Sequence, residues 1–198
     1  MNVLPLSFEK LINELSKLPS IGKKSAQRLA FFLLKVPLED AEALSNAIIE
    51  CRNKIKFCEK CFGLTESEFC DICLDHNRDN SYICVVEKPE DIIAIENAGV
   101  FKGSYHVLHG SLSPLDRIGP DQLKIKELEK RAENSELKEI IIATNPTVSG
   151  EATADYINSQ LSNKVLITRL AYGISTGSGI EYADPFTLQK SLTGRQKL

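Results

Sequence analysis

The sequence predicts a multi-domain α+β protein: a helical N-terminal unit, a small four-cysteine metal knuckle, an α/β unit with a mostly parallel sheet, and a C-terminal extension. Three observations predict it. Apolar residues recur at helical spacing up to residue 54, two CxxC pairs follow between Cys58 and Cys73, and short apolar runs alternate with helical segments after residue 78. A chain of 198 residues is long enough for two or three small domains.

Composition is that of a soluble globular protein, with 42% hydrophobic and 26% charged residues. The sequence has no secretory signal and no apolar stretch long enough to span a membrane, so we expect a cytoplasmic protein. The net charge of -3 hides an asymmetry. Residues 1–57 carry nine Lys and Arg against six Asp and Glu, whereas residues 58–198 carry fifteen against twenty-one. The first part is therefore basic, which is typical either of an anion-binding patch or of a solvated helical surface.

Three helices are predicted before the cysteines, each by apolar residues spaced three and four positions apart. Pro19 ends the first, and Pro37 ends the second, which begins near Lys23. The apolar positions are Phe8, Leu11, Ile12, Leu15 and Leu18 in the first helix, Ala26, Leu29, Ala30 and Leu33 in the second, and Ala41, Leu44, Ala47 and Ile48 in the third.

The joint between the first two helices, residues 18–26 (LPSIGKKSA), has the features of an anion site. Gly22 is expected to take a left-handed conformation and let the backbone approach a ligand, and the next helix begins with free N–H groups. Lys23 and Lys24 in its first turn oppose the helix dipole unless an anion lies in front of them, and Arg28 follows one turn later. A phosphate backbone supplies such an anion; a tight helix–helix corner is the alternative.

The joint resembles the helix-hairpin-helix motif, which binds DNA phosphates without reading sequence. This resemblance implies that Lys24 and Arg28 contact phosphates, with Lys23 and the backbone of Ile21 and Gly22 beside them. Ser20 stands where a glycine is common in the motif, and we expect it to act there as a capping residue.

The two CxxC pairs, Cys58/Cys61 and Cys70/Cys73, predict one structural Zn²⁺ per chain. Four thiolates close a tetrahedral shell, which disfavours catalytic zinc, because that role needs an open water position. Disulfide and redox pairs are weaker alternatives, as is a substitute ligand from His76. Cys51 and Cys84 lie in apolar sequence and are predicted to be buried.

Beyond the cysteines, short apolar runs predict strands that are buried on both faces of a parallel sheet. The predicted strands are 82–86, 139–143 and 164–168. The predicted helices are 89–97, 121 to about 133, and 150–161, the last of them capped by Thr147 or Ser149. Ligands of such sheets bind at the carboxyl ends of the strands, which here carry Glu87 and the segment 143–152.

These two strand ends resemble a Toprim domain, the unit shared by type IA and type II topoisomerases and bacterial primases. In that domain, a glutamate after the first strand and a later Asp-x-Asp hold magnesium for phosphoryl transfer. Glu87 matches the glutamate, but Asn145 and Thr147 stand where the aspartates belong, ahead of Glu151. We therefore expect no nuclease, topoisomerase or primase activity. The four positions are predicted to be vestigial or to contact partners.

The order of hairpin, four-cysteine knuckle and degenerate Toprim resembles one family, the bacterial recombination mediator RecR. Further stretches that look like RecR are 103–116, 143–147, 150–153 and 181–184, and His109 stands where that family often has a second glycine. The resemblance implies four domains: 1–54, a helix-hairpin-helix DNA-binding domain; 55–77, a zinc finger; 78–170, a Toprim-like domain; and 171–198, a C-terminal segment for assembly or packing.

RecR resemblance also implies a function and partners. Members are non-enzymatic DNA repair factors that work with RecO and RecF to load RecA onto gapped single-stranded DNA coated by single-stranded DNA-binding protein. They form ring-like tetramers that clamp DNA, single-stranded or duplex, in the nucleoid. Two alternatives remain open: a magnesium-dependent DNA enzyme with a site rebuilt from Glu87, Glu151 and Asp116 or Asp155, and a zinc-stabilised hub that never touches DNA. Residues 173–179 are glycine-rich but lack a P-loop core, which indicates a flexible connection.

Overall fold

The structure, a computed structural model, describes residues 4–195. The chain divides into two compact units, residues 1–55 and 56–198; the outermost positions of the predicted first and last domains, 1–3 and 196–198, lie outside the described residues. The helices are α1 (Leu6–Leu15), α2 (Lys23–Leu33), α3 (Leu38–Lys54), α4 (Asp71–Leu74), α5 (Pro89–Ala98), α6 (Ile125–Arg131), α7 (Val148–Leu161) and α8 (Pro185–Thr193). The strands are β1 (Lys56–Phe57), β2 (Leu64–Thr65), β3 (Asp79–Val86), β4 (Gly103–Val107), β5 (Glu139–Ala143) and β6 (Leu166–Arg169).

The first unit consists of the three predicted helices. Ala26 and Ala30 on α2 are fully buried. The ring centroids of Phe8 on α1 and Phe31 on α2 lie 4.7 Å apart. The predicted ends of α1 and α2 are wrong, because each helix closes with a backbone-bonded turn three or four residues before its proline. Cys51 is exposed on α3, which corrects the prediction that it is buried, because the apolar face of α3 is itself only partly covered.

In the second unit, four parallel strands form one sheet in the order β4-β3-β5-β6. The predicted strands β3, β5 and β6 are present, and the predicted parallel sheet is confirmed. Strand β4 was not predicted. Its sequence, GSYHV, alternates polar with apolar residues, yet all five positions are buried, and its polar side chains Ser104 and His106 form hydrogen bonds inside the unit.

Helices cover both faces of the sheet. On one face, α6 and α7 pack with Leu108 over Ile83, Val85, Ile140 and Ile142. On the other face, the cysteine knuckle and α5 cover Cys84, Val86, Tyr105 and Val107. The helix predicted from Asp121 to about Glu133 is in fact a 3-10 turn followed by α6, because the chain is extended at Leu123 between them.

Beyond β6, residues 170–179 contain no helix or strand, as their glycines predict, and the chain then reaches α8. Asp184 caps α8 by accepting hydrogen bonds from the backbone N–H groups of Phe186 and Thr187. Among residues 4–195, no helix combines the length and the apolar character that a membrane crossing requires.

Candidate functional site

The four knuckle cysteines converge as a metal site requires. Their Sγ atoms all lie within 4.8 Å of one another, and those of Cys61 and Cys70 are 3.5 Å apart. Zinc–sulfur bonds of about 2.3 Å at tetrahedral angles would place the sulfurs roughly 3.8 Å apart, so the donor set fits Zn²⁺. Backbone N–H groups of Gly63 and Cys70 point at the sulfurs of Cys61 and Cys58, both at 3.4 Å, and stabilise thiolates there. With four sulfurs as ligands, the metal has a structural role.

The knuckle is part of the second unit's core. Cys58 and Cys61 are 0% and 1% exposed and pack with Val86, Tyr105 and Val107 of the sheet. The backbone N–H of Val107 donates to the carbonyl of Cys61 at 2.8 Å, so the first CxxC turn covers part of the free edge of β4. Cys84 lies in the same cluster, where burial raises the pKa of its thiol to about 12, as expected for an inert buried cysteine.

The start of α2 has the features of an anion site. Its N-terminal N–H groups receive no side-chain cap, and its first turn contains no acidic residue. Lys23, Lys24 and Arg28 are exposed and form no ion pair within the described part of the chain. Ile21 and Gly22 precede the helix, and an added Cβ at Gly22 would have no atom within 4 Å. Backbone and cations thus lie together on an open surface.

The backbone of this joint corrects two predictions. Gly22 is extended, with φ -79° and ψ 167°, because it is the N-cap of α2. The left-handed residue is Ser20, with φ 66°, and its side chain caps nothing. A left-handed conformation explains why glycine is common at this position of the motif. His109, which stands where the family often has a second glycine, is also left-handed, with φ 61°.

Replacing Ser20 by glycine is expected to stabilise the first unit. The left-handed conformation costs a non-glycine residue about 1 kcal/mol, and part of that gain is offset by the greater freedom of glycine in the unfolded chain. We expect a net gain of roughly 0.5 kcal/mol in the free energy of unfolding, measured by urea denaturation. The matched variant Gly22→Ala should give no gain. A loss of stability in Ser20→Gly, or a gain in Gly22→Ala as large as that in Ser20→Gly, would contradict the assignment.

At the carboxyl ends of β3 and β5, Glu87 is held by the segment that follows β5. Its side chain is buried and accepts hydrogen bonds from the backbone N–H of Asn145 at 2.8 Å and from the Asn145 amide at 2.9 Å. An added Cβ at Gly150 would lie 2.9 Å from Glu87 Oε1 and 2.0 Å from the Asn145 carbonyl oxygen, so only glycine fits there. Thr147, one of the two predicted caps, caps α7: its side chain accepts a hydrogen bond from the backbone N–H of Gly150.

Glu151 faces a different set of partners. Its carboxylate accepts hydrogen bonds from Tyr172 Oη at 2.6 Å and Lys190 Nζ at 3.2 Å, and it pairs with Arg169 at 2.9 Å. The Tyr172 hydroxyl, Lys190 and Arg169 hold the pKa of Glu151 below its usual range. Both surviving acids are therefore satisfied within the chain. Sequence reasoning missed these three partners, because no local pattern marks residues that lie 18 to 39 positions away.

Among the described residues, acidic side chains form no cluster that could hold a metal ion. Within residues 4–195, the four cysteines are the only group of three or more Cys, His, Asp or Glu close enough to share an ion. Asp116 accepts a hydrogen bond from Ser113 Oγ, and Asp155 is exposed on α7. His76 is exposed, while His106 is fully buried and bonded to the Lys124 carbonyl, and burial lowers the pKa of His106 to about 3.

Comparison with protein families matches almost the whole chain. The matched families are RecR, helix-hairpin-helix (residues 8–52), RecR, four-cysteine zinc finger domain (55–75), Toprim domain (81–171) and RecR, C-terminal (173–196). The match to the four-cysteine zinc finger, with the converging sulfurs, confirms the predicted zinc finger.

Curated relatives match this chain over nearly the full length of both proteins. Recombination protein RecR of Geotalea uraniireducens is 51% identical over 193 residues, 97% of each chain. Recombination protein RecR of Heliobacterium modesticaldum is 50% identical over 190 residues, 96% of each chain. The protein of the same name from Pelotomaculum thermopropionicum is 50% identical over 190 residues, 96% of this chain and 95% of the relative.

Proposed function

Since this chain belongs to the RecR family of recombination proteins, we propose that it acts as a DNA-clamping mediator that, with RecO and RecF, promotes RecA loading at gapped or protein-coated single-stranded DNA. Membership of the family supports a role in DNA repair and recombination. The mediator does this as a non-enzymatic factor. The observation that carries the proposal is the uncapped, basic start of α2, which offers cations and free backbone N–H groups to phosphates.

DNA contact is proposed to begin with the phosphate backbone. Lys24 and Arg28 lie one helical turn apart, so two cations can meet phosphates on one face, while Lys23 and the N–H groups beside Ile21 and Gly22 meet another oxygen. Such contacts carry no sequence information, which agrees with non-specific binding to single strands and duplexes. One such patch neutralises few phosphates, so a monomer would bind weakly at physiological salt.

Assembly into a ring is proposed to supply the missing affinity, since repeated patches raise the effective concentration of each contact. A closed tetramer needs two interfaces per chain. In the first unit, an apolar groove of about 460 Å³ is lined chiefly by leucines of all three helices together with Ile48, which is 58% exposed. In the second unit, β6 pairs only with β5 among the described strands, and Leu166 and Leu170 beside its free edge are exposed. Both surfaces support assembly.

Ile48→Glu is expected to dissociate the proposed ring, because a charge in the apolar groove would stay unpaired after burial. Light scattering of the native protein should report a loss of mass to a smaller species, together with weaker DNA binding. Asn53→Glu, which adds the same charge at an exposed site on α3, is the control and should keep the parental mass. If Ile48→Glu keeps the parental mass, the groove is not an interface of the assembly.

Partner contact is proposed for the vestigial Toprim edge. Asn145 and Thr147 lie in an exposed loop, with Val148 89% exposed beside them, and this loop is the surface offered to a partner protein. Glu87 acts beneath the loop by holding Asn145, and Glu151 acts by holding the residues after β6. The retained acids thus shape the contact surface instead of binding magnesium.

Reconstituted RecA loading tests the proposed function. Gapped DNA is coated with single-stranded DNA-binding protein, and RecA filament growth is followed with RecO and RecF in the presence or absence of this chain. We expect filament growth to start faster only when the chain is present with RecO. A chain that binds DNA and RecO normally but gives no stimulation would overturn the mediator role without touching the DNA-binding proposal.

A further inference from the structure

The zinc finger creates a charge problem for the second unit. One Zn²⁺ with four thiolates carries a net charge of about -2. Cys58, Cys61 and Cys70 lie in an apolar cluster with Tyr105 and Val107 and are at most 9% exposed. A buried charge without a counter-charge is strongly unfavourable. The two N–H groups that point at sulfur compensate part of it but bring no net charge.

Arg131, the last residue of α6, lies close to the knuckle. It lines a cavity of about 450 Å³ together with Glu59 and Phe62 of the knuckle. Its guanidinium donates to the Tyr105 carbonyl at 2.6 Å and to Ser104 Oγ at 3.2 Å, and it lies 3.3 Å from His106 Nδ1. The guanidinium is therefore fixed at the free edge of β4, where Val107 receives the knuckle through the Cys61 carbonyl.

The electrostatics of Arg131 connect it to the thiolates. Burial lowers the pKa of its guanidinium, and the charges of Cys73, Cys61 and Cys58 oppose that shift. Its neighbour His106 is neutral at physiological pH because burial lowers its pKa to about 3, so it supplies no cation. Lys60 and Lys130 line the same cavity, but the Lys60 amine donates to Asn80 Oδ1 at 3.3 Å in an exposed hydrogen bond and the Lys130 side chain is exposed, so solvent screens both charges.

We propose that Arg131 is the counter-cation of the zinc finger: its fixed positive charge at the edge of β4 balances part of the negative charge of the metal centre and raises zinc affinity. Arg131 is a positioning residue and binds no metal itself. It also couples the metal centre to α6 and to the sheet, since the same guanidinium holds the Tyr105 carbonyl.

Zinc affinity of the full chain tests the proposal. Zinc is titrated from the protein with a chromophoric chelator, and each variant's unfolding is recorded with and without metal. Arg131→Gln should weaken zinc binding by roughly 10-fold, the loss typical of residues that support metal ligands. Arg131→Lys, which keeps the charge but not the forked hydrogen bonds, should retain most of the affinity. Lys130→Gln, which removes the same charge one residue away, should bind zinc normally.

The pattern across variants separates charge from structure. Equal losses of zinc affinity in Arg131→Lys and Arg131→Gln would assign the effect to hydrogen bonds and overturn the proposal. So would normal zinc affinity in Arg131→Gln, whatever its stability. If Arg131→Gln shows no cooperative unfolding, Arg131→Met replaces it, because an apolar side chain of similar volume preserves packing in a buried setting. Normal affinity in Arg131→Met would likewise overturn the proposal.

Discussion

Cys58→Ser is expected to abolish stoichiometric zinc binding and to unfold the knuckle side of the second unit. Structural zinc contributes on the order of 10 kcal/mol to the folding of small metal sites, which is comparable to the whole stability of a domain. Cys58 is fully buried against Val86, Tyr105 and Val107, so its loss would also leave that face of the sheet without its cover. Zinc content by elemental analysis and thermal unfolding by circular dichroism measure the two effects.

Cys51→Ser is the matched control, because Cys51 is exposed on α3 in the other unit. It should keep one zinc per chain and the parental unfolding temperature. Chelation of zinc from the unmutated protein should reproduce the Cys58→Ser phenotype, and readdition of zinc should reverse it. A Cys58→Ser protein with full zinc content and an unchanged unfolding temperature would show that three thiolates suffice, and the predicted four-thiolate site would fail.

The zinc finger was the part of this molecule best predicted from sequence, because ligand identity and spacing fix a tetrahedral site almost by themselves. The parallel sheet was predicted for a similar reason: β3 and β5 are continuous apolar runs, which is typical of strands covered on both faces. Strand β4 was not predicted because two of its buried residues, Ser104 and His106, are polar. Hydrogen bonds offset the free-energy cost of burying them, and only the folded chain supplies these bonds.

Local conformation was harder to predict than architecture. The sequence predicts Gly22 as the left-handed residue because it is the only glycine of the joint, yet a helix N-cap requires extended backbone, and Ser20 takes the left-handed position instead. The partners of Glu151 were unpredictable for another reason. Lys190 reaches Glu151 only after β6 and the irregular segment have returned the chain to the same edge of the sheet. Contacts between residues that are distant in sequence leave no periodic signal.

The double variant Lys24→Glu/Arg28→Glu is expected to lose most DNA binding. Each phosphate contact releases counterions, so removing two contacts per chain should weaken DNA binding roughly 10- to 100-fold near 0.1 M salt. The slope of log affinity against log salt concentration should become shallower by about two for each chain that contacts the DNA. Repulsion by the new carboxylates adds to the loss. Both residues are exposed on α2, and neither forms an ion pair within the described residues, so folding and oligomeric mass should not change. Fluorescence anisotropy with single-stranded and duplex DNA over a salt series measures the effect.

The control keeps the total charge change and moves it elsewhere in the first unit. Lys35→Glu/Arg52→Glu reverses two exposed cations, one beyond the C-terminal end of α2 and one near the end of α3. If DNA binding depends on the basic surface as a whole, both double variants should weaken it alike. If the start of α2 is the binding site, only Lys24→Glu/Arg28→Glu should flatten the salt dependence. If the two double variants weaken DNA binding equally, the joint is only a structural helix–helix corner. A local phosphate site requires that the position of the cations matters as well as their charge.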